Sequence, residues 1–241
     1  MNDVLSLEEL KNRVSLGKNI VAVVNDLSVG QSCVAGGILR DYTAKQLFGI
    51  DLEGSGDVDL LLVNDDHTDL GDFAAEISGH LNNTGMACRI VAVDYSYEAA
   101  GDYTDADDRL YGVMQFNVNG VEVDILVYSD NIESIGDAID TFNCIINKFF
   151  TDEYGNIMQD YHPGNSEFEY REGDREKNEE RYQKCVRNHI TWLRAALKRQ
   201  EGKSGLPYSE EELEKLATYL QGNGKPEAPK AAHPYQRIDQ E

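Results

Sequence analysis

Residues 110–128 carry the strongest structural signal in this sequence. Leu110–Val118 and Val121–Tyr128 are apolar runs joined at Asn119-Gly120, and an Asn-Gly pair between two such runs is typical of a two-residue β-hairpin. Two long neighbouring strands imply a sheet, and a sheet must bury at least one of its faces against other elements. The remaining segments must therefore supply the helices and strands that complete this layer.

The segments on either side of the hairpin alternate between helical and strand patterns. Ser6 and Glu9 form a Ser-x-x-Glu capping box, which predicts a helix over residues 6–25. The other apolar patterns predict, in order, a strand at 32–37, a helix at 38–48, strands at 57–63 and 88–93 separated by a helix at 69–81, a mobile acidic loop at 94–108, and a mostly helical segment at 132–150. This order predicts an α/β (α+β) fold with a mixed sheet.

The C-terminal third of the chain has a different character. Residues 164–180 are polar, Arg181–Lys203 has the pattern of an amphipathic helix, and Ser209–Leu220 predicts a second helix with Ser209 as its N-cap. On the longer helix the apolar face is formed by Val186, Ile190, Leu193 and Leu197, and the basic face by Lys184, Arg187, Arg194 and Lys198. We therefore expect an N-terminal helix at 1–25, a main α/β domain at 26–160, a helical region at 161–220 and a disordered tail at 221–241.

The net charge of −22 restricts the partners of this chain. Residues 1–150 contain 8 Lys and Arg against 26 Asp and Glu. Such an acidic body repels phosphate backbones, so strong general binding of nucleic acids is not expected. Solubility alone explains an acidic surface, but it does not explain carboxylates placed inside apolar runs.

The cysteines and the absence of long apolar runs indicate the compartment. The four cysteines are far apart in the sequence and lack metal-binding spacing, so we expect buried free thiols. No apolar run has the length of a membrane span, and the N-terminus lacks the pattern of a secretory signal. These features predict a cytoplasmic protein without a membrane partner.

Three carboxylates are placed where strands are predicted. Asp57 and Asp59 are two residues apart on one strand, so both side chains leave the same face. Asp124 lies in a later strand, on the face opposite to its Val and Ile neighbours. Carboxylates beside apolar residues are costly to bury unless a cation neutralises them. This pattern predicts two Mg²⁺ (or Mn²⁺) ions about 3.5–4 Å apart, which would stabilise the attacking and leaving oxygens of a phosphoryl transfer.

Two further features point to a triphosphate. Gly36-Gly37 ends a predicted strand just before a helix, where free N–H groups and the helix dipole favour phosphate; a simple tight turn is the alternative. Arg181–Lys203 contains 7 Lys and Arg and one Glu. Through Lys184 and Arg187 this helix would grip a triphosphate or an RNA acceptor, or its basic face would simply be solvated.

Taken together, three short segments resemble a known family. Ala35–Asp41 (AGGILRD), Gly56–Leu61 (GDVDLL) and Val123–Val127 (VDILV) are similar to the nucleotidyltransferase superfamily typified by DNA polymerase beta. The Gly-Gly-x-x-Arg-Asp form is closest to the head domain of bacterial-type CCA-adding enzymes and poly(A) polymerases. Cys144–Ile157 resembles a later stretch of that head domain, with Asn147 in the position of its Asn. The resemblance covers roughly half of the chain.

The resemblance implies a role for each matching residue. Gly36 and Gly37 would hold the triphosphate, Asn147 would contribute to the nucleotide site, and Arg40 with Asp41 would buttress the nucleotide. A helix-stabilising ion pair is the other interpretation of Arg40 and Asp41. The metal ions would be bound by three carboxylates: Asp57, Asp59 and Asp124. Asp124 would also act as the general base that helps to deprotonate the attacking hydroxyl.

These observations predict a metal-dependent nucleotidyltransferase. It would move a nucleoside monophosphate from an NTP such as ATP to an acceptor hydroxyl and release pyrophosphate. The acceptor is an RNA 3′ end, a protein side chain or a small molecule, and the acidic surface favours the last two. The family's base-reading helix is not recognisable here, and the C-terminal region is short for the domains by which CCA-adding enzymes hold tRNA. A non-catalytic nucleotide-binding regulator with the same fold is the alternative.

Overall fold

The computed structural model describes residues 4–54, 56–63, 69–95, 110–128, 131–159, 168–170, 178–199 and 210–221. Most of the predicted acidic loop at 94–108 and the whole predicted tail from 222 lie outside these residues. The division of the chain into four segments therefore stays a prediction.

A seven-stranded mixed sheet forms the centre of the molecule. Its spatial order is β3-β4-β5-β2-β1-β6-β7, with β2 and β5 parallel and all the other pairs antiparallel. The strands are β1 (Gln31–Ala35), β2 (Val58–Val63), β3 (Cys88–Asp94), β4 (Leu110–Val118), β5 (Val121–Tyr128), β6 (Phe149–Thr151) and β7 (Ile157–Gln159). The mixed-sheet α/β fold that the sequence predicts is confirmed.

In the described residues, six α-helices and one 3₁₀ turn accompany the sheet. They are α1 (Leu7–Leu27), α2 (Gly37–Phe48), α3 (Leu70–Asn83), α4 (Ile135–Asp140), the 3₁₀ turn Ile145–Asn147, α5 (Glu179–Arg199) and α6 (Glu210–Gln221). Within the described ranges, none of these helices has the length and apolar character needed to cross a membrane.

The local signals near the N-terminus and in the hairpin form as predicted. Ser6 accepts a hydrogen bond from the Glu9 N–H, and the Glu9 side chain accepts one from the Ser6 N–H, so the capping box starts α1. The β4–β5 turn has positive φ at both Asn119 and Gly120, as a type I′ turn requires. Short-range side-chain and backbone preferences are therefore sufficient to fix these two features.

The prediction of a mostly helical segment at 132–150 is wrong. α4 covers only Ile135–Asp140; the chain then forms the 3₁₀ turn and enters β6. The Thr141 hydroxyl donates a hydrogen bond to the Ala138 carbonyl at the end of α4, and such local bonds compete with continuation of a helix. β6 then pairs with β1 through Phe150 and Ala35. This long-range pairing overrides the local helical pattern.

The two faces of the sheet are covered to different extents. α1, α2 and α3 pack on one face through a large apolar core that includes Val34, Leu60 and Ile125. The other face, which we call the α4 face, has a smaller apolar cluster in which Leu61 and Leu126 contact residues of α4. Asp59 and Asp124 lie two residues before Leu61 and Leu126 on their strands and so belong to the same α4 face.

α5 is joined to the sheet domain by aromatic packing. The ring of Trp192, which is fully buried, stacks on Phe149 of β6 with the centroids 5.7 Å apart, and it meets the ring of Phe48 edge-on. Val186, Ile190 and Leu193 pack instead against α6, as the predicted apolar face requires. α5 therefore has one side in the main core and another against α6.

A buried histidine makes the stability of this region depend on pH. His189 on α5 is 1% exposed, and burial lowers its pKa from 6.5 to about 4. The unfolded chain therefore takes up this proton below about pH 6.5, whereas the folded chain does so only near pH 4. The contribution of neutral His189 to stability is complete above pH 6.5 and is lost as the pH falls towards 4. We expect this histidine alone to lower the free energy of unfolding by about 2 kcal/mol between about pH 8 and about pH 5.

Urea unfolding at the two pH values measures this effect. Carboxylates also titrate in this range, so the informative quantity is the difference between the wild type and His189→Leu, whose side chain has a similar volume and no charge. The variant should lose less stability on acidification than the wild type. An equal loss in both proteins would show that His189 does not carry the effect.

Candidate functional site

Two of the predicted carboxylates are register partners in the sheet. Asp59 is the second residue of β2 and pairs with Asp124 of β5 in the parallel ladder. Because paired residues of parallel strands project from the same face, both carboxylates lie on the α4 face. Asp57 immediately precedes β2. The Gln115 side-chain amide on β4 donates to Oδ2 of Asp124 at 3.4 Å.

The glycine pair brings the start of α2 against one of these carboxylates. Gly36 caps α2 with φ of 76°, a conformation that L side chains rarely adopt. A Cβ atom at this position would lie 2.8 Å from Oδ2 of Asp59. Glycine therefore allows the backbone at the N-terminus of α2 to lie directly beside Asp59. Gly37 is the first helical residue, so the free N–H groups and the positive end of the helix dipole are located here.

Arg40 and Asp41 form a buried ion pair. Both Nε and Nη2 of Arg40 lie 2.7 Å from Oδ1 of Asp41, and the residues are only 3% and 8% exposed. Burial alone would lower the pKa of Arg40, but the Asp41 charge outweighs it and raises that pKa. Burial also raises the pKa of Asp41, against the opposing effect of Arg40. Of the two interpretations of the pair, the ion pair is present in this structure.

The same arginine links three segments of the chain. Nη1 of Arg40 donates to Oδ1 of Asn147 at 2.6 Å, and Nη2 donates to the Glu53 carbonyl at 3.1 Å. Asn147 belongs to the 3₁₀ turn, and its amide nitrogen lies 3.8 Å from Sγ of Cys185 on α5. Arg40 therefore joins α2 to the 3₁₀ turn and to the segment that leads into β2.

The basic face of α5 divides into residues at the cavity and residues away from it. Lys184 and Arg187 line the cavity described below. The guanidinium of Arg187 makes a two-bond pair with the carboxylate of Glu53, at 2.6 and 2.7 Å. Arg194 pairs with Glu214 of α6, and Lys198 is exposed. A ligand in the cavity can therefore contact the basic face only near the start of α5, at Lys184 and Arg187.

One cavity of about 440 Å³ lies between the start of β2, the start of α2 and α5. This volume is within the range of small-molecule sites. Eight predicted site residues line it: Gly36, Gly37, Arg40, Asp57, Asp59, Asn147, Lys184 and Arg187. Asp124, the ninth, is not among the lining residues and lies next to Asp59 in the sheet.

The sequence did not predict the other lining residues. They are Glu53, Leu126, Tyr128, Thr141, Phe142, Asn143, Asn178, Glu180, Arg181 and Cys185. A signal existed for one of them, since Arg181 begins the predicted basic helix. Glu53 carries no local signal, because its partner Arg187 is distant in the sequence.

The pKa of a cysteine in the cavity wall is lowered by its neighbours. Cys185 is buried, and its pKa is lowered to about 7, first by a hydrogen bond from the Cys144 thiol, with burial opposing. The charges of Arg40, Arg181 and Lys184 lower it further. The prediction of free thiols is confirmed, since Cys33, Cys88, Cys144 and Cys185 are all unbridged. The cavity lining as a whole has four basic and four acidic residues, and three of the basic ones lie close enough to Cys185 to lower its pKa.

The three predicted carboxylates have the donor atoms of a metal site. Among the residues that the structure describes, no three or more His, Cys, Asp or Glu side chains are grouped so that they could hold an ion. The donor chemistry fits Mg²⁺, which prefers carboxylate oxygens, and the shared register of Asp59 and Asp124 allows both to reach the same ion. Metal binding by Asp57, Asp59 and Asp124 therefore stays a prediction.

Comparisons with known proteins do not identify a family. No family model matches the chain, and no curated protein matches it. The chain is similar to a solved structure described as a "tRNA-processing enzyme (apo form I)", with 12% identity, a TM-score of 0.42, and coverage of 86% of this chain and 63% of that one. It is also similar to a "tRNA-processing enzyme complex 3" (11% identity, TM-score 0.40, 83% and 62% coverage). The chain thus spans less than two thirds of these structures, and likeness at such TM-scores carries no argument about fold or function.

Proposed function

We propose that this chain is a metal-dependent nucleotidyltransferase. The observation that carries the proposal is a single cavity shared by Asp57 and Asp59, by the glycine N-terminus of α2, and by basic residues of α5. Carboxylates suit hard cations, while helix N-termini and basic side chains suit phosphate. A metal–triphosphate complex is a ligand that needs both kinds of group in one place.

Each group has a distinct role in the proposed transfer. The Gly36 N–H already donates to the Phe149 carbonyl at 2.8 Å, so the free N–H groups that orient the triphosphate begin at Gly37. Lys184, Arg187 and Arg181 offset the negative charge of the triphosphate. Two Mg²⁺ or Mn²⁺ ions, held by Asp57, Asp59 and Asp124, would supply Lewis-acid stabilisation of the attacking and leaving oxygens. Asp124 accepts the proton of the acceptor hydroxyl. Asp124 lies next to Asp59 in the sheet, although it does not itself line the cavity.

The acceptor that we favour is a protein side chain or a small molecule. The chain has a net charge of −22, with 26 acidic and 8 basic residues before residue 151. An RNA acceptor would have to approach this surface against electrostatic repulsion. Local positive charge at Arg181, Lys184 and Arg187 is enough for a triphosphate but provides only a short path for a polynucleotide.

A non-catalytic nucleotide-binding regulator is the second candidate. It is favoured by one observation: in the part of the chain that is described, no three His, Cys, Asp or Glu side chains are grouped so that they could hold a metal. Such a protein would bind NTP through Gly36, Gly37 and the basic residues of α5 and would transfer nothing.

Incubation with α-³²P-labelled NTPs, Mg²⁺ or Mn²⁺ and a mixture of acceptors separates these functions. The proposal predicts label on protein or on a small molecule, with none in a reaction with Asp57→Ala. Label on RNA would support nucleotidyl transfer but would show that the acceptor is RNA. If no label moves while NTP raises the melting temperature of the wild type, the protein is the regulator and the enzymatic proposal is wrong.

Charge reversal on α5 tests the triphosphate site. We expect Lys184→Glu and Arg187→Glu each to raise the KM for NTP at least about tenfold, because a charge-assisted contact contributes about 1.5–3 kcal/mol. Lys184→Glu is the cleaner variant, since a glutamate at 187 would also face Glu53.

The matched control is Lys198→Glu, which makes the same change on an exposed part of the same helix. Steady-state kinetics with varied NTP measure the effect in all three variants. Equal KM values for wild type, Lys184→Glu and Lys198→Glu would mean that the basic face of α5 is solvated and does not bind the triphosphate.

A further inference from the structure

The segment that leads into β2 is attached to α5 at one residue, Glu53. The side-chain amide of Asn188 accepts a hydrogen bond from the Glu53 N–H at 2.7 Å and donates one to the Glu53 carbonyl at 3.0 Å. One side chain thus pairs with both main-chain groups of one residue, much as a neighbouring strand would. We call these two hydrogen bonds between Asn188 and Glu53 the clamp. Asn188 is 1% exposed, so these bonds are shielded from competing water.

Further contacts hold the same segment on both sides of this clamp. Arg40 donates a second hydrogen bond to the Glu53 carbonyl, and the Glu53 side chain is held by Arg187. At Gly54 an added Cβ would lie 1.9 Å from Oδ2 of Asp41, so the backbone lies directly against that carboxylate. The Gly56 carbonyl accepts a hydrogen bond from Arg13 of α1. Glu53, Gly54 and Gly56 are therefore contacted by residues of three helices, α5, α2 and α1.

Because of these contacts, the position of Asp57 depends on α5. Asp57 is the residue after Gly56 and precedes the first residue of β2, so the strand ladder holds it on one side only. On the other side its position is set by the clamp at Glu53 and by the Gly56 contact. Asn188 lies 135 residues from Glu53 in the sequence, and it does not line the cavity.

We propose that Asn188 is a positioning residue for Asp57: by pairing with the main chain of Glu53, it fixes the segment that presents Asp57 to the metal. This inference rests on the proposed function. It assigns α5 two tasks, since Lys184 would bind the triphosphate while Asn188, one turn further along the same helix, sets a metal-binding carboxylate. Loss of the clamp should weaken metal binding and lower kcat, with little change in the KM for NTP, because Asn188 does not reach the nucleotide.

Asn188→Asp is the most informative variant. A carboxylate keeps the acceptor for the Glu53 N–H but has no donor, and it places a negative oxygen against the Glu53 carbonyl. We expect the Kd for Mn²⁺ alone, measured by paramagnetic resonance of free Mn²⁺, to rise at least about tenfold. Hydrogen exchange at the Glu53 amide should accelerate in Asn188→Ala, which removes the acceptor of that N–H. kcat should fall by about 10- to 100-fold, since a misplacement of about 1 Å costs about 100-fold. Asn188→Ala, which removes both bonds without adding charge, is the second variant; both are compared below their measured melting temperatures.

The chain offers a matched control in Asn82. Its amide also pairs with both main-chain groups of one residue, Cys88, with two 3.0 Å bonds, at the start of β3. Asn82→Asp breaks the same kind of clamp and should leave Mn²⁺ affinity and kcat unchanged. If folded Asn188→Asp and Asn188→Ala match the wild type in Mn²⁺ affinity and kcat while the wild type transfers label, this inference alone is wrong. A wild type that binds no Mn²⁺ and transfers no label overturns the proposed function and this inference with it.

Discussion

Asp59→Asn is expected to reduce nucleotidyl transfer by at least about 10³-fold without unfolding the protein. The amide has the same shape but no charge, so it binds a divalent cation far more weakly. Loss of metal stabilisation in the transition state costs several kcal/mol, and each 1.4 kcal/mol is a tenfold change in rate. The fold should persist because Asp59 lies at the edge of the α4 face, where the apolar cluster of Leu61 and Leu126 ends.

The control for this variant is Glu122→Gln. Glu122 is an exposed carboxylate on β5, two residues from Asp124 and on the same face. Neutralising it changes the net charge equally but removes no proposed metal ligand. Single-turnover rates with labelled NTP distinguish the two variants. Equal small losses in both would mean that general acidity, and not the metal site, supports activity.

Arg40→Met is expected to lower the free energy of unfolding by about 3–5 kcal/mol. The substitution leaves the Asp41 carboxylate buried without the partner that now lies 2.7 Å away, and an uncompensated buried charge carries a cost of this size. It also removes the donors to Asn147 and to the Glu53 carbonyl. Urea unfolding at neutral pH measures the change.

The double variant Arg40→Met, Asp41→Asn isolates the contribution of the charge. Neutralising Asp41 should recover part of the stability that Arg40→Met loses, because the orphaned charge is gone. If the single variant loses less than about 1 kcal/mol, or if the double variant is less stable than the single one, the ion pair does not support the fold in this way.

Local signals in the sequence predicted much of the fold, and tertiary pairing decided the rest. The Ser6 capping box and the Asn119-Gly120 turn depend on neighbouring residues only, and both form as predicted. Phe149–Thr151 is a strand because it pairs with β1 and β7. No local pattern contains that information, so the apolar pattern over 132–150 predicted a helix instead.

Some residues of the candidate site likewise have a local signal in the sequence, whereas the role of others depends on a distant contact. Asp57 and Asp59 were recognisable because they stand beside an apolar run, and Gly36 because it precedes a helix pattern. The clamp between Glu53 and Asn188 joins residues 135 positions apart. An Asn on a helix is ordinary in sequence, and only its burial against a distant main chain gives it a role.

The most direct test is a crystal structure with Mg²⁺ and an NTP analogue whose α,β bridge cannot be cleaved. The proposed function predicts the triphosphate over the Gly36-Gly37 start of α2, bound by the free N–H groups from Gly37 onward. It also predicts an ion about 2.0–2.1 Å from carboxylate oxygens of Asp57 and Asp59, with Asp124 within reach of the same metal centre. An ordered triphosphate elsewhere, or one at Gly36 with both carboxylates turned away and no ion between them, would contradict it.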